Sequence, residues 1–413
     1  MYPRVLVISN NPFSETSNNG KTYASFFKGW PKEKLAQLYF TNEVPLDTIC
    51  GNYFNFEQGY KIETNTSNLS SKQSFKQRIY LKMRDNSLAS LLFNHLWDLK
   101  IKKYEKHIYE FVKIFEPDVI FFVGGRRNFT YKTTNLIADK FNIPIYLYYT
   151  DDYFVSENNN FFMKINNYLF LKEAYKTIDK SKSIFVIGNK MKKVYEKKFN
   201  KKCIPIMNSI NFEEYDLLSF KEPNENLKIA YFGGLHLKRL DSIIDLAKIV
   251  DEDNQESKRN TIIDLYSASH LDMMQIDLMN KFDCLCFKGR INANNIISKM
   301  NEYDVLLFVE SFEQSMINRT HLSLSTKIPE YLAVGKPIFA IGPIQSGSIE
   351  YLKEIGLSYV NESNSFDKMK SIYQNLLNDT ENFRNINKQS KIYAKLNHSY
   401  QKNHDLLRKE LSK

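Results

Sequence analysis

Lys327 and Glu330 stand close together in STKIPEYLAVGKPIFAIGP, residues 325–343. At i, i+3 spacing an ammonium and a carboxylate share one face of a short helix, after which Gly335 and Pro337 turn the chain into an apolar strand. A carboxylate so placed can accept hydrogen bonds from both hydroxyls of a ribose while the ammonium meets a phosphate. The same pair also reads as a capped helix with a surface salt bridge. The run GPIQSGS at 342–348 opens a further helix near Ser346 and Gly347, whose first backbone N–H groups suit phosphate oxygens.

A second basic cluster follows an apolar run. In YFGGLHLKRLDSI (231–243), Gly233 and Gly234 let the backbone approach a ligand, and Lys238 and Arg239 stand near a helix start, where they suit a diphosphate. The spacing is not the GxGxxG of a nicotinamide or flavin site. In the first half, NNPFSETSNNGK (10–21) surrounds Gly20 with small and polar residues, either a backbone cradle for sugar or phosphate or a solvated loop. YYTDDYF (148–154) carries Asp151 and Asp152, which either suit proton transfer and sugar hydroxyls or cap the next helix. His95 and His107 lie in charged, helix-like surroundings and read as surface or packing residues.

The scaffold that must hold these loops is legible as alternating runs. RVLVISN (4–10), LAQLYFT (35–41), DVIFFVGG (118–125), PIYLYYTDD (144–152) and SIFVIGN (183–189) are apolar without alternation and are separated by amphipathic stretches. That pattern predicts a parallel, doubly wound α/β sheet buried on both faces, with ligands beyond the carboxyl ends of its strands. A polar, acidic stretch at 208–226 reads as a linker, and the series then restarts with NLKIAYFGG (226–234), TIIDLYSA (261–268), CLCFKGR (284–290), DVLLFVE (304–310) and KPIFAIGP (336–343). Two Rossmann-like lobes suit a chain of 413 residues.

Hydrophobic residues make up 43% and charged residues 25%, which excludes collagenous and wholly disordered chains. No run reaches the ~18 apolar residues of a spanning helix, and the N-terminus lacks a signal-peptide pattern, so a cytoplasmic protein is expected. The four cysteines, Cys50, Cys203, Cys284 and Cys286, form no CxxC pair and read as core thiols, with no metal site.

YFGGLHLKR, the strand DVLLFVESFE and above all STKIPEYLAVGKPIFAIGP resemble the donor half of family 4 retaining glycosyltransferases with the GT-B fold. IPIYLYYTDDY, FVIGNKMKKVYEKKF and IPIMNSINFEEY resemble the end of their acceptor half, so the likeness runs from about residue 118 to 350. It implies two Rossmann-like parallel-sheet domains facing a central cleft. Residues 1–212 would bind the acceptor and 213–385 a nucleotide-sugar donor, with a C-terminal helix, 386–413, packing back toward the first domain. No metal or other cofactor is implied. By the same likeness Glu330 holds the donor ribose, Lys238 or Arg239 the diphosphate with help from Lys327, and Gly20 lies near the donor phosphates and the acceptor. Many members carry two glutamates with seven residues between them, but Leu322 stands where the first would be, leaving Glu313 or Glu310 to supply it if 311–325 folds back. Asp151 stands where many members have a histidine.

The expected reaction moves a sugar from a nucleotide diphosphate, UDP being the commonest, to a glycan or lipid-linked acceptor with retention. Arg239 and Lys327 would stabilise the leaving diphosphate, whose own oxygen can take the acceptor's proton. The charge adds a location. Residues 1–216 carry 32 Lys and Arg against 22 Asp and Glu, and the rest is balanced, so the whole +10 lies in the first half. Lys76, Arg78, Lys82 and Arg84, interleaved with Phe75, Ile79, Tyr80 and Met83 and followed by Leu91, Leu92, Leu96 and Trp97, have the profile of a basic amphipathic segment on an anionic membrane. This suits a peripheral enzyme of capsule, lipopolysaccharide or other surface-polysaccharide synthesis. No nucleic-acid module is recognisable. The competing readings on the same fold are a nucleotide-sugar 2-epimerase and a non-catalytic partner subunit.

Overall fold

A computed structural model describes residues 1–14, 18–56, 59–62, 87–155 and 160–413. The basic segment with Lys76, Arg78, Lys82 and Arg84 lies outside the described residues. The chain forms two compact units, Met1–Met207 with Asn403–Lys413, and Asn208–Lys402. These units divide at 207/208 and 402/403, against expected boundaries at 212/213 and 385/386.

Among the described residues the first unit holds eight strands: β1 (Val5–Ser9), β2 (Leu35–Tyr39), β3 (Asn52–Asn55), β4 (Gly59–Ile62), β5 (Val119–Val123), β6 (Ile145–Tyr149), β7 (Ser181–Val186) and β8 (Cys203–Pro205). Their order is β4-β3-β2-β1-β5-β6-β7-β8. Every residue of β1, β2, β5 and β6 is buried, which is why these runs are apolar without alternation: helices cover both faces. Val5 of β1 pairs with Leu35 on one side and Val119 on the other. The chain therefore winds outward from β1 in one direction, returns, and winds outward in the other. β4 breaks the parallel order, pairing antiparallel to β3 at the sheet edge. β3, β4 and β8 are three or four residues long, too short to stand out as apolar runs.

The second unit is a six-stranded parallel sheet of β9 (Lys228–Phe232), β10 (Ile262–Tyr266), β11 (Leu285–Gly289), β12 (Val305–Val309), β13 (Ile338–Ile341) and β14 (Ser358–Asn361), ordered β11-β10-β9-β12-β13-β14. Its core packs Ile229, Tyr231, Val305, Leu307 and Phe339 of the sheet against Ile243, Leu246, Ala247 and Val250 of the helix Arg239–Ser257. Each of the Ile, Leu, Val and Phe side chains among them contributes about 1.5–3 kcal/mol by leaving water. The cysteines divide differently from the expectation. Cys284 is buried, but Cys286 is exposed because β11 is an edge strand with one open face.

The ends of the second unit adjoin one another. Ile210 N donates to His398 O (2.9 Å), and Ile210 bridges Ser399 in parallel. Burial lowers the pKa of His398 to about 4, so its ring is neutral where it bonds Tyr351 Oη (2.8 Å) and Asn208 O (3.2 Å). The final helix, Tyr400–Leu411, then delivers the chain to the first unit, where Asn403 Nδ2 donates to Met207 O (2.5 Å) and Lys202 meets Glu410 at 3.0 Å.

Candidate functional site

In the second unit, the chain crosses from one winding direction to the other between β9 and β12. Ligands in open α/β sheets bind beyond the carboxyl ends of strands at such a point. β9 ends in Gly233 and Gly234. Tyr231 donates its hydroxyl to Gly234 O (2.7 Å), and the Lys327 ammonium stands 4.7 Å from the Tyr231 ring centroid. Gly233 has φ +151°, and a side chain there would overlap Lys327 Nζ. Burial, then the charge of Arg239, brings the Lys327 pKa down to about 7, against the opposing pull of Glu310 and Glu330. His236 is likewise held below the ordinary histidine range by burial and by Arg239 and Lys327.

Lys327 is fixed by its helix. Lys327–Val334 closes at Gly335, whose φ of +76° suits glycine, and whose carbonyl accepts from Asn387 Nδ2 (2.9 Å). Tyr331 ties that helix to the sheet, its hydroxyl accepting from Phe232 N at 3.2 Å. One turn along from Lys327, Glu330 is half-buried and acts electrostatically on Lys327, Tyr215 and Tyr400.

Arg239 opens the next helix, with its guanidinium in a buried ion pair. Its Nη2 lies 3.0 Å from Glu310 Oε2, the two side chains being 11% and 4% exposed. Nη1 reaches Gly234 O at 3.4 Å, and Nε is buried without a partner. Leu237 and Lys238 precede it with φ of +63° and +58°, two successive left-handed residues that cost about 1–3 kcal/mol each. Lys238 is exposed and 3.6 Å from Glu313, whose other oxygen accepts from Ser315 Oγ (2.5 Å). The two acids therefore differ: Glu310 holds Arg239 and Glu313 holds Lys238.

Ser346 is fully buried with its Oγ unpartnered, at the start of the helix Gly347–Ile355, and makes no side-chain cap bond. Gly347 is required by packing, since a Cβ there would lie 2.6 Å from Ser323 O. Ser348 Oγ accepts from Ser325 N (3.0 Å), which locks this helix start to the one carrying Lys327.

In the first unit, Gly20 sits inside the helix Asn18–Phe26, where a Cβ would come within 2.6 Å of Pro12 O. The loop from Asn10 is thus shorter than expected. Asp151 Oδ2 accepts from Thr150 Oγ1 (3.1 Å) and from the Tyr153 hydroxyl (3.2 Å). Asp152 Oδ1 accepts from Phe154 N and the Tyr195 hydroxyl, both at 3.0 Å, which makes it the tie of a turn.

The structure thus gathers Gly233, Gly234, Arg239 and Lys327, sets Glu330 and Ser346 on adjoining helix starts, and keeps Lys238 at the surface. Tyr231 and His236, which the sequence reading did not single out, belong to the same cluster; a tyrosine two residues before a Gly-Gly was the available signal. Among the described residues no group of three or more His, Cys, Asp or Glu side chains is gathered to hold a metal ion, and no helix is long and apolar enough to cross a membrane.

The sequence matches no protein-family model and no curated protein. Solved structures match over its whole length. The complex of Alr3699/HepE from Anabaena with UDP has a TM-score of 0.67 at 11% identity, with 99% of each chain covered. Sucrose-phosphate synthase from Thermosynechococcus elongatus gives 0.63 at 11%, with 99% of each chain covered. A glycosyltransferase from Rickettsia africae gives 0.61 at 14%, covering 99% of this chain and 98% of its own. The likeness establishes the fold: two Rossmann-like parallel-sheet units in the GT-B architecture.

Proposed function

We propose that the protein is a glycosyltransferase whose second unit binds a nucleotide-diphosphate sugar and whose first unit binds a glycan or lipid-linked acceptor. The observation that carries this is the cluster at the carboxyl ends of β9 and β12: Lys327 and Arg239 around a glycine pair, with a ribose-type acceptor, Glu330, one helical turn from Lys327. Complexes of the similar Anabaena protein with UDP and UDP-glucose favour UDP as the nucleotide.

In this reading, Glu330 accepts from the ribose hydroxyls, and the ammonium of Lys327 meets the diphosphate where Gly233 lets it approach. Charge grows on the departing diphosphate as the glycosidic bond loosens, and preorganised cations and the N-terminus of the helix Gly347–Ile355 stabilise it. Glu310 keeps the Arg239 guanidinium oriented, so neither Glu310 nor Glu313 is assigned to the sugar. The departing phosphate oxygen accepts the acceptor's proton on the same face, giving retention as in family 4 enzymes. The reading assigns no metal, since these cations supply the charge.

The reading extends to a peripheral position on the cytoplasmic face of the membrane in surface-polysaccharide synthesis. Its support is an outward apolar stripe on the helix Ser87–Phe115, where Leu88, Leu92, Leu96 and Leu99 are 48–60% exposed. Phe161 and Tyr168 stand open on the helix Phe161–Lys180, which Asn94 and Asn166 join to the first (3.1 Å). Four leucines on one open helix face, beside lysines and in the basic half of the chain, suit an anionic bilayer.

The test is thermal unfolding against UDP, GDP, ADP, CMP and their sugar conjugates. A ligand at ~100 times its Kd adds about 2.7 kcal/mol of stability. A shift selective for one nucleotide diphosphate and reduced in Glu330→Ala supports the reading; no shift with any of them overturns it.

A further inference from the structure

At the amino ends of the second sheet, the opposite ends of the strands from the glycine pair, stands a cation with no counter-ion. Lys336 lies between the helix Lys327–Val334 and β13 and is 3% exposed. β12 and β13 pair Leu306 with Ile338 in parallel, so two residues earlier on each strand Lys336 comes beside Asp304. The two nevertheless form no ion pair. Asp304 Oδ2 accepts from Lys228 N (2.8 Å) and from Asn224 Nδ2 (3.3 Å), which also reaches Oδ1 (3.4 Å). Among the described residues the Lys336 ammonium makes no hydrogen bond and no ion pair at all.

Its surroundings add positive charge. Asn387, on the helix Phe383–His398, donates to Gly335 O (2.9 Å), and Lys391, one turn further along the same face, donates to Leu218 O (2.8 Å). Lys221 follows Leu218 by three residues, is exposed, and acts on Lys336 together with Lys391. Three lysines therefore meet a single carboxylate, that of Asp304. Of the acids in the adjoining linker, Asp216 pairs with Lys395 (2.7 Å), Glu222 pairs with Arg384, and Glu225 is exposed. Burial holds the Lys336 amine below the ordinary lysine range; Asp304 opposes this, and Lys221 and Lys391 reinforce it. Burial lowers Lys391 as well. A cation taken out of water is costly unless an anion and hydrogen bonds compensate it.

We propose that this end of the second sheet binds a phosphate-type oxyanion, free or as a phosphomonoester, with Lys336 and Lys391 as its ligands and Lys221 on its solvent side. Each ammonium carries three donors, so Lys336 offers all of its own and Lys391 keeps two beyond its bond to Leu218 O. The excess of positive charge left by three lysines around Asp304 matches a phosphate dianion. The site is separate from the donor cluster at the carboxyl ends of the same strands and does not rest on the transferase reading.

Thermal unfolding of the full-length protein in inorganic phosphate, against chloride at equal ionic strength, tests this. Glycerol 3-phosphate, with glycerol as its neutral control, supplies the phosphomonoester. Phosphate also suits Lys327 and Arg239, so Lys327→Met is measured beside Lys336→Met. The expected result is stabilisation by phosphate in wild type and in Lys327→Met, with the apparent affinity weakened about tenfold or more in Lys336→Met. A matching response to glycerol 3-phosphate extends the site to phosphomonoesters, and a response to inorganic phosphate alone assigns it to the free anion. Lys391→Met, at a half-buried position, gives the reading if Lys336→Met does not fold. The inference is overturned by an absence of stabilisation beyond that of chloride in wild type, by equal stabilisation of wild type and the Lys336 and Lys391 variants, or by a loss confined to Lys327→Met.

Discussion

Gly233 and Lys327 occupy each other's space: a side chain on the glycine would overlap the lysine's ammonium. The backbone of one strand end and the cation of a helix distant in sequence are therefore fitted as a unit. Gly233→Ala should displace the ammonium and also strain a residue at φ +151°. UDP affinity measured by calorimetry should fall about tenfold or more, with a lowered unfolding temperature.

The depressed pKa of Lys327, about 7, gives a signed pH dependence. A bound diphosphate favours the charged amine, so at pH 8 binding should take up a proton and affinity should decline as pH rises above about 7. Calorimetry in buffers of different ionisation enthalpy reads this uptake, and Lys327→Met should abolish it. Without ligand, the unfolded chain binds more protons at this residue than the native one from about pH 7 up to the ordinary lysine range, so its stability contribution rises with pH there. The stability gained by Lys327→Met over wild type should be largest near pH 7 and shrink at higher pH.

Removing one partner of the Arg239–Glu310 pair leaves a charge stranded in a site where both side chains are nearly closed to water. Glu310→Ala should cost about 3–5 kcal/mol in denaturant unfolding, and Arg239→Met/Glu310→Leu should recover most of it. The double variant should still bind UDP poorly, which separates the stabilising role of the pair from its electrostatic one.

Glu330→Ala should weaken UDP binding by about 1–3 kcal/mol if its carboxylate accepts from the ribose. The sharper form uses the sugar: 2′-deoxy-UDP should bind the variant and wild type more nearly alike than UDP does. An unchanged preference for UDP would remove Glu330 from the ribose.

Leu92, Leu96 and Leu99 point outward, so replacing each with serine should cost only about 0.5 kcal/mol of stability. Cosedimentation with anionic vesicles should fall markedly. Equal sedimentation of both proteins would exclude this face as the docking surface.

The residues gathered at the end of β9 and on the helix Lys327–Val334 were readable in the sequence because they are local: a glycine pair ending an apolar run, and a Lys and Glu one helical turn apart. The partner of Arg239 was not readable, because Glu310 lies 71 residues away and only sheet pairing brings it near. In the sequence Glu310 is one of two acids that could stand in for a missing glutamate, and nothing in its spacing distinguishes it from Glu313; burial at the end of β12 does. The short strands β3, β4, β8 and β14 are not legible because three or four residues carry too little periodicity to register.

The seam at Ile210 and His398, where the second unit's ends meet, makes that unit an insertion within the first, which claims both the beginning and the end of the chain. Joining ends that already touch costs little loop entropy. The second unit is accordingly a cassette, exchangeable for another of the same fold at two adjacent splice points without rethreading the sheet that receives it.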